Sequence, residues 1–177
     1  MPGEESMMDI MERMESLVPE YSYESVSDIV RTDGMVRDFL ISKMKEIKDC
    51  MFHVVQISYE LQRDRLSESA ESAWNELDSL LDRVENSGVS GMKGRKKYCR
   101  ECKERIQKNI GNLIRRDREL VLAAKNMRRV AQLLYRELLD KGSEARFISG
   151  VNTIKRCADE MTGLLEERDR SIRGSVA

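Results

Sequence analysis

The fold is decided by residues 106–138, IQKNIGNLIRRDRELVLAAKNMRRVAQLLYREL. Apolar side chains recur in this stretch at alternating spacings of four and three residues, which is the heptad pattern of a helix packed in a bundle or coiled coil. Asp117 interrupts the apolar seam, and we expect it to fix the register or to pair with a basic residue across the bundle. The predicted inward positions are Ile106, Ile110, Leu113, Asp117, Leu120, Ala124, Met127, Ala131, Leu134 and Leu138.

The rest of the chain repeats this helical pattern. Residues 7–18 predict a short amphipathic helix that Pro19 ends, and the pair Asp33-Gly34 predicts a helix end or restart. A heptad pattern then predicts a long helix from 36 to about 66. Ser67 predicts the cap of a further helix that reaches residue 86. A last helix is predicted over 143–170, with an apolar seam at Phe147, Val151, Ile154, Ala158, Met161 and Leu165.

Together these elements predict an all-α protein. The expected architecture is an antiparallel four-helix bundle of long heptad-patterned helices, with an additional short N-terminal amphipathic helix. The charged fraction of 36% is well above the roughly 25% of an average domain and disfavours a β-sandwich or barrel. The predicted organisation is an acidic segment over 1–34, the bundle domain over 35–172 and a frayed tail over 173–177.

The net charge of −1 hides a strong segregation of charge along the chain. Residues 93–136 carry 15 basic and 4 acidic residues, whereas residues 1–34 carry 2 and 9, and residues 67–92 carry 1 and 6. With Ile106 and Leu113 inward, a basic stripe falls on the outer side of the same helix and continues into the preceding loop. The stripe consists of Lys93, Arg95, Lys96, Lys97, Arg100, Lys108, Arg115, Arg118, Lys125, Arg129 and Arg136.

Two interpretations of the basic stripe stay open. Either the acidic segments 1–34 and 67–92 neutralise it within the chain, or it binds the phosphate backbone of RNA or single-stranded DNA. Only Tyr98 and Tyr135 are near the stripe in sequence, which predicts weak base stacking and little sequence specificity.

Two pairs of ligand-type residues have a spacing typical of zinc sites. Cys50 and His53 are three residues apart on the first long helix, and Cys99 and Cys102 follow a glycine-containing loop. Together the two pairs offer three thiolates and one imidazole to a tetrahedral zinc ion. Because only one CxxC motif is present, ordinary reduced thiols are the simpler interpretation. We therefore expect no cofactor, with zinc as the alternative.

Acidic pairs three residues apart give a further alternative, a helical-bundle metal-dependent hydrolase that holds Mg²⁺. Such pairs are also common on solvated helix faces. The sequence contains no P-loop, no nucleophile elbow and no glycine-rich phosphate cradle, so we assign no catalytic residue. The acidic pairs are Glu46 with Asp49, Glu101 with Glu104, and Glu166 with Asp169.

The predicted function is non-enzymatic, helix-mediated association. We expect a homo-oligomer or a helical protein partner, with the amphipathic helix over 7–18 as the docking element, seated in its own groove or in that of a partner. Nucleic-acid binding through 93–136 and metal-dependent hydrolysis are the alternatives. The expected location is the cytoplasm, without membrane contact, because no apolar run approaches the roughly 18 residues that span a bilayer. Four cysteines are also too few for a disulfide scaffold.

Overall fold

The computed structural model describes residues 6–23, 26–87, 100–139 and 143–173, and all regular elements among them are helices. In chain order these helices are α1 (Met7–Leu17), α2 (Val26–Glu60), α3 (Asp64–Asn86), α4 (Arg100–Leu139) and α5 (Glu144–Arg173). The all-α helical bundle and the short N-terminal helix are therefore confirmed.

The predicted helix end at Asp33-Gly34 is wrong, because α2 continues through both residues. Glycine costs a helix interior about 1 kcal/mol relative to alanine, which is a small penalty for a helix of this length. Thr32, Asp33 and Val36 are all buried, so the packing of this turn holds the helical conformation.

The break between α2 and α3 comes earlier than the sequence predicts, at residues 61–63 instead of 66–67. Gln62 adopts a left-handed conformation with φ of 53°. The Arg63 amide donates to the Ser58 carbonyl at 2.9 Å, and the Gln62 amide donates to the Tyr59 carbonyl at 3.0 Å. This is the Schellman arrangement that normally uses glycine, so a glutamine at that position gave no sign of a helix end.

The helices contribute to two compact units. Unit 1 takes its described residues from Met1–Leu40, Val84–Val121 and Gly163–Ala177, and unit 2 takes them from Ile41–Arg83 and Leu122–Thr162. The boundaries predicted from the sequence stay a prediction.

Within unit 2, α2 and α4 are neighbours that run in the same direction. Arg128 of α4 forms an ion pair with Glu46 of α2, and one heptad further along, the Tyr135 ring lies 5.4 Å from the His53 ring. A constant offset at both contacts means that the two helices keep a common register.

The other contacts in unit 2 close a ring of four helices. Lys48 of α2 forms an ion pair with Asp78 of α3, and Lys155 of α5 contacts Glu76 of α3 at 3.0 Å. Arg146 of α5 reaches Glu137 of α4 at 2.9 Å. The order around unit 2 is therefore α2, α3, α5, α4, which places α3 and α4 at opposite corners.

Unit 1 contains α1, which packs against its own chain. A β-carbon added to Gly111 of α4 would lie only 3.3 Å from the methyl group of Met7. The glycine therefore permits α1 to approach α4 closely. A capping box between Ser6 and Asp9 begins the helix. The residues that this segment buries are Ile10, Met14 and Val18.

Candidate functional site

A row of five exposed side chains on the outer side of α4 in unit 2 is the first candidate surface. We call Leu122, Lys125, Arg129, Leu133 and Arg136 the α4 face. Leu122 is 43% exposed and Leu133 is 45% exposed. The row covers about 21 Å of helix at 1.5 Å per residue. It places two large apolar side chains among three cations on one solvent-facing stripe.

The cations of the α4 face are not neutralised by any residue that the structure describes. Lys125, Arg129 and Arg136 form no ion pair with any side chain that the structure describes. Two acidic residues of α3, Asp78 and Glu76, form ion pairs with lysines of α2 and α5 instead. The first interpretation of the basic stripe was neutralisation by acidic segments of the same chain. The described residues do not neutralise these three cations.

The remaining residues of the basic stripe have different surroundings. Lys108 and Arg115, in unit 1, are exposed and form no ion pair within the described part of the chain, whereas Arg118 is half-buried and interacts with another group. Arg100 is the first residue of α4, but its side chain lies outside the described residues. The predicted residues Lys93, Arg95, Lys96 and Lys97 also lie outside the described residues.

Three rings form a cluster between α2 and α4 in unit 2. The His53 ring lies 6.0 Å from the Phe52 ring on one side and 5.4 Å from the Tyr135 ring of α4 on the other. Phe52 is 49% exposed. The sequence predicted only Tyr135 here, because Phe52 and His53 come from α2, and nothing in the sequence fixes the register of α2 against α4.

An acidic surface occupies the opposite corner of unit 2. We call Asp64, Glu68 and Glu71 the α3 face, because all three are exposed and form no ion pair with a side chain that the structure describes. Glu68 and Glu71 also line an open groove of about 460 Å³ along α3. The groove is completed by Ser72, Asn75, Glu76 and Ser79.

The predicted zinc ligands do not come together among the residues that the structure describes. Cys50 is half-buried, and burial together with the nearby carboxylate of Asp49 raises the pKa of its thiol, which disfavours the thiolate that zinc needs. Cys99 and the side chain of Cys102 lie outside the described residues. Among the described residues, no group of three His, Cys, Asp or Glu side chains is arranged to hold a metal ion.

Most of the described acidic residues considered for Mg²⁺ are engaged in other contacts, whereas Asp49 is exposed. Glu46 accepts a hydrogen bond from Lys43 at 2.5 Å, which lowers the pKa of its carboxyl group, and it also pairs with Arg128. Glu166 and Asp169 each interact with another group. The side chains of Glu101 and Glu104 lie outside the described residues.

A buried ionic network occupies the interior of unit 1. The Asp117 carboxylate is fully buried and accepts hydrogen bonds from Tyr21 at 3.1 Å, from Tyr23 at 2.5 Å and from the Arg168 Nε atom at 2.5 Å. The expectation that Asp117 pairs with a basic residue across the bundle is confirmed. Arg168 also donates to Asp33 at 2.7 Å, which places a second carboxylate on the same guanidinium group.

This buried ionic network joins the N-terminal segment to the helices of unit 1. Tyr21 and Tyr23 follow α1 in sequence and meet edge to face at 5.3 Å. Burial and the Asp117 carboxylate raise the pKa of both phenols well above their ordinary value near 10, so both donate as neutral hydroxyl groups. The network is closely packed and fully buried, which suits a structural role better than substrate binding.

Sequence reasoning missed Arg168 although a signal was present. The predicted seam of α5 stops at Leu165, and its four-three spacing, continued, reaches Arg168 and then Ile172. Both residues are buried, so the seam extends further than the apolar pattern showed. Tyr21 and Tyr23 had no comparable signal, because they lie outside any helix.

No described helix combines the length and the hydropathy that crossing a bilayer requires. No family model, no curated protein and no solved structure matches the chain. The interpretation of its surfaces therefore rests on their own chemistry.

Proposed function

We propose that this protein acts without catalysis, by helix-mediated association through the α4 face. The observation that carries the proposal is the combination, on one stripe of α4, of three cations without ion-pair partners among the described residues and two leucines close to half exposed. Burial of apolar surface is worth roughly 25 cal/mol per Å², so covering the two leucines supplies a driving force for a partner.

The spacing of the α4 face suits a helical partner. Positions 122, 125, 129, 133 and 136 follow one another at three or four residues, which is how side chains align along one side of a helix. A second helix that lies along this row can bury Leu122 and Leu133 while its acidic side chains meet Lys125, Arg129 and Arg136. The cations then give specificity and the leucines give affinity.

We also propose a cytoplasmic location without membrane contact. Cys50 and Cys157 are free thiols, and burial raises the pKa of both. Free thiols persist in reducing compartments, which supports a cytoplasmic setting.

Photo-crosslinking in cells that produce the protein tests the proposed function. A photoreactive amino acid replaces Leu133 in one variant and Asn152, an exposed residue of α5 in the same unit, in the control. We expect a protein adduct, identified by mass spectrometry, at position 133 but not at position 152. The adduct should disappear when Lys125→Glu and Arg129→Glu are added. Equal labelling at both positions contradicts the proposal.

Nucleic-acid binding is the second candidate function, favoured by the exposed cations of the α4 face and by the rings of Phe52, His53 and Tyr135 in the same unit. Cations that follow a strand and rings on which bases stack are the parts of a single-strand binder. A salt titration with RNA and single-stranded DNA tests this candidate. A steep loss of affinity with salt, made shallower by Arg115→Glu and Arg129→Glu, supports it, and no binding at about 50 mM salt rejects it.

A further inference from the structure

We propose that unit 2 carries both halves of a head-to-tail interface, so that the α4 face of one copy binds the α3 face of a second copy. This inference rests on the proposed function and names the occupant of the α4 face. It requires that the two surfaces be complementary, that they cannot meet within one chain, and that no other pairing of the same surfaces competes.

The two surfaces cannot satisfy each other within unit 2. Its contacts run from α2 to α3, from α3 to α5, from α5 to α4 and from α4 back to α2, so α3 and α4 occupy opposite corners. Asp64, Glu68 and Glu71 therefore face away from Lys125, Arg129 and Arg136. A second copy brings an acidic surface to the basic one without any change in the fold.

The charges select a head-to-tail arrangement over a two-fold one. Two α4 faces in contact would oppose three cations with three cations, and two α3 faces would oppose three carboxylates with three carboxylates. A two-fold dimer that uses both surfaces at once needs them on the same side of unit 2, and they lie on opposite corners. The net charge of −1 leaves little overall repulsion between copies.

The apolar parts of the two surfaces also correspond. Leu61, in the turn immediately before Asp64, is 47% exposed, and Tyr59 at the end of α2 is 60% exposed. Both residues come within five positions before Asp64 of the α3 face in the chain, as Leu122 and Leu133 alternate with the cations of the α4 face. A phosphate backbone has nothing to gain from two leucines, so these residues favour a protein occupant over a nucleic acid.

Sedimentation velocity on the purified full chain tests the interface with two reciprocal variants. One variant, Arg129→Glu with Arg136→Glu, loses the basic side, and the other, Glu68→Lys with Glu71→Lys, loses the acidic side. Arg156→Glu serves as the matched control, because Arg156 is an exposed cation of α5 in the same unit. Each double variant should weaken self-association about 100-fold, since opposed like charges are strongly unfavourable.

We expect the wild-type chain and the Arg156→Glu control to form larger species as concentration rises at about 50 mM salt, and to dissociate at about 500 mM salt, where screening is stronger. Each double variant alone should be monomeric. Their equimolar mixture should associate again, because each variant keeps the surface that the other lacks and the two reversed surfaces also carry opposite charges.

Two results would overturn the inference. The first is a mixture of the two variants that stays monomeric while the wild-type chain associates, which would place the interface elsewhere. The second is a wild-type chain that stays monomeric at every concentration. If position 133 nevertheless crosslinks to a different protein in cells, the head-to-tail interface is wrong and the proposed function stands.

Discussion

Unit 1 encloses three charged side chains, Asp33, Asp117 and Arg168, whereas no charged side chain described in unit 2 is buried. Unit 2 instead has an interior without charged side chains among its described residues. The cations of its α4 face and the acids of its α3 face form no ion pair with a described side chain. Both units are built from the same kind of heptad-patterned helix. A charge in the buried seam of a helix therefore holds neighbouring segments together through ion pairs and hydrogen bonds. A charge on the outer side of a helix is available to a partner.

The energetic reason lies in solvation. A buried charge loses its water, so it must be compensated by partners at short range, and Asp117 has three such donors. An exposed charge keeps its water and contributes little to stability, whether or not it has a partner. Substitutions of buried charges should therefore cost far more stability than substitutions of exposed ones.

Asp117→Ala should be the most damaging change. It leaves Arg168 buried with only Asp33 as a close partner, and removal of one partner from a buried ion pair costs about 3–5 kcal/mol. Urea unfolding monitored by circular dichroism gives the change in the free energy of unfolding.

The adjacent pair of residues provides the control for Asp117. Arg116 and Glu167 form an ion pair at 2.6 Å between the same two helices, but both side chains are more than one third exposed. Arg116→Ala should therefore cost less than about 1 kcal/mol. If Arg116→Ala and Asp117→Ala have equal effects, burial is not what distinguishes the two pairs.

The two tyrosines should make the protein sensitive to alkaline pH. Their pKa values are raised in the folded state, so the folded chain keeps both protons above pH 10 while the unfolded chain releases them. Stability is thus complete below about pH 10 and falls as pH rises further, by about 1.4 kcal/mol per pH unit for each tyrosine. Unfolding by urea at pH 9, 10 and 11 measures the slope.

Tyr21→Phe with Tyr23→Phe should make this slope shallower, although the variant is less stable at neutral pH because two hydrogen bonds to a carboxylate are lost. Each such bond contributes about 1.5–3 kcal/mol. Tyr59→Phe is the matched control, because Tyr59 is 60% exposed and should leave the slope unchanged. The same slope in all three proteins would argue against a special role for the buried phenols.

Substitution of two glycines of α5 by alanine compares packing in the two units, and the expected changes in stability are smaller. Gly163, counted in unit 1, has nothing within 4 Å of an added β-carbon, so Gly163→Ala should stabilise by up to about 1 kcal/mol. An added β-carbon on Gly150, in unit 2, overlaps the buried Leu134 side chain. Gly150→Ala should gain the same helix propensity but lose about 1–3 kcal/mol through overpacking. Thermal unfolding of both variants should place the wild type between them.

Much of the fold followed from the sequence, because heptad spacing reports which side of a helix is buried. All the seam positions predicted for α5 are buried, and Asp117 was expected to find a basic partner. The turn at Gln62 could not be predicted, since a glutamine in a left-handed conformation has no sequence signature comparable to that of glycine.

The candidate surfaces were harder to predict for a different reason. The outer residues of α4 were predicted from spacing alone, and the structure finds Lys125, Arg129 and Arg136 exposed. Whether acidic segments neutralise them depends on which helices are neighbours, and heptad patterns do not specify that order. The ring of contacts in unit 2, which separates α3 from α4, keeps the described acids of α3 away from these cations.

The cations of the α4 face are available to a partner because no described residue of the fold pairs with them. The free energy of unfolding of Arg129→Glu with Arg136→Glu, measured in dilute solution beside the wild-type chain, tests this claim most directly. We predict a difference of less than about 0.5 kcal/mol, as for surface residues without partners. A loss of about 2 kcal/mol or more would show that these cations stabilise the chain itself and are not available to a partner.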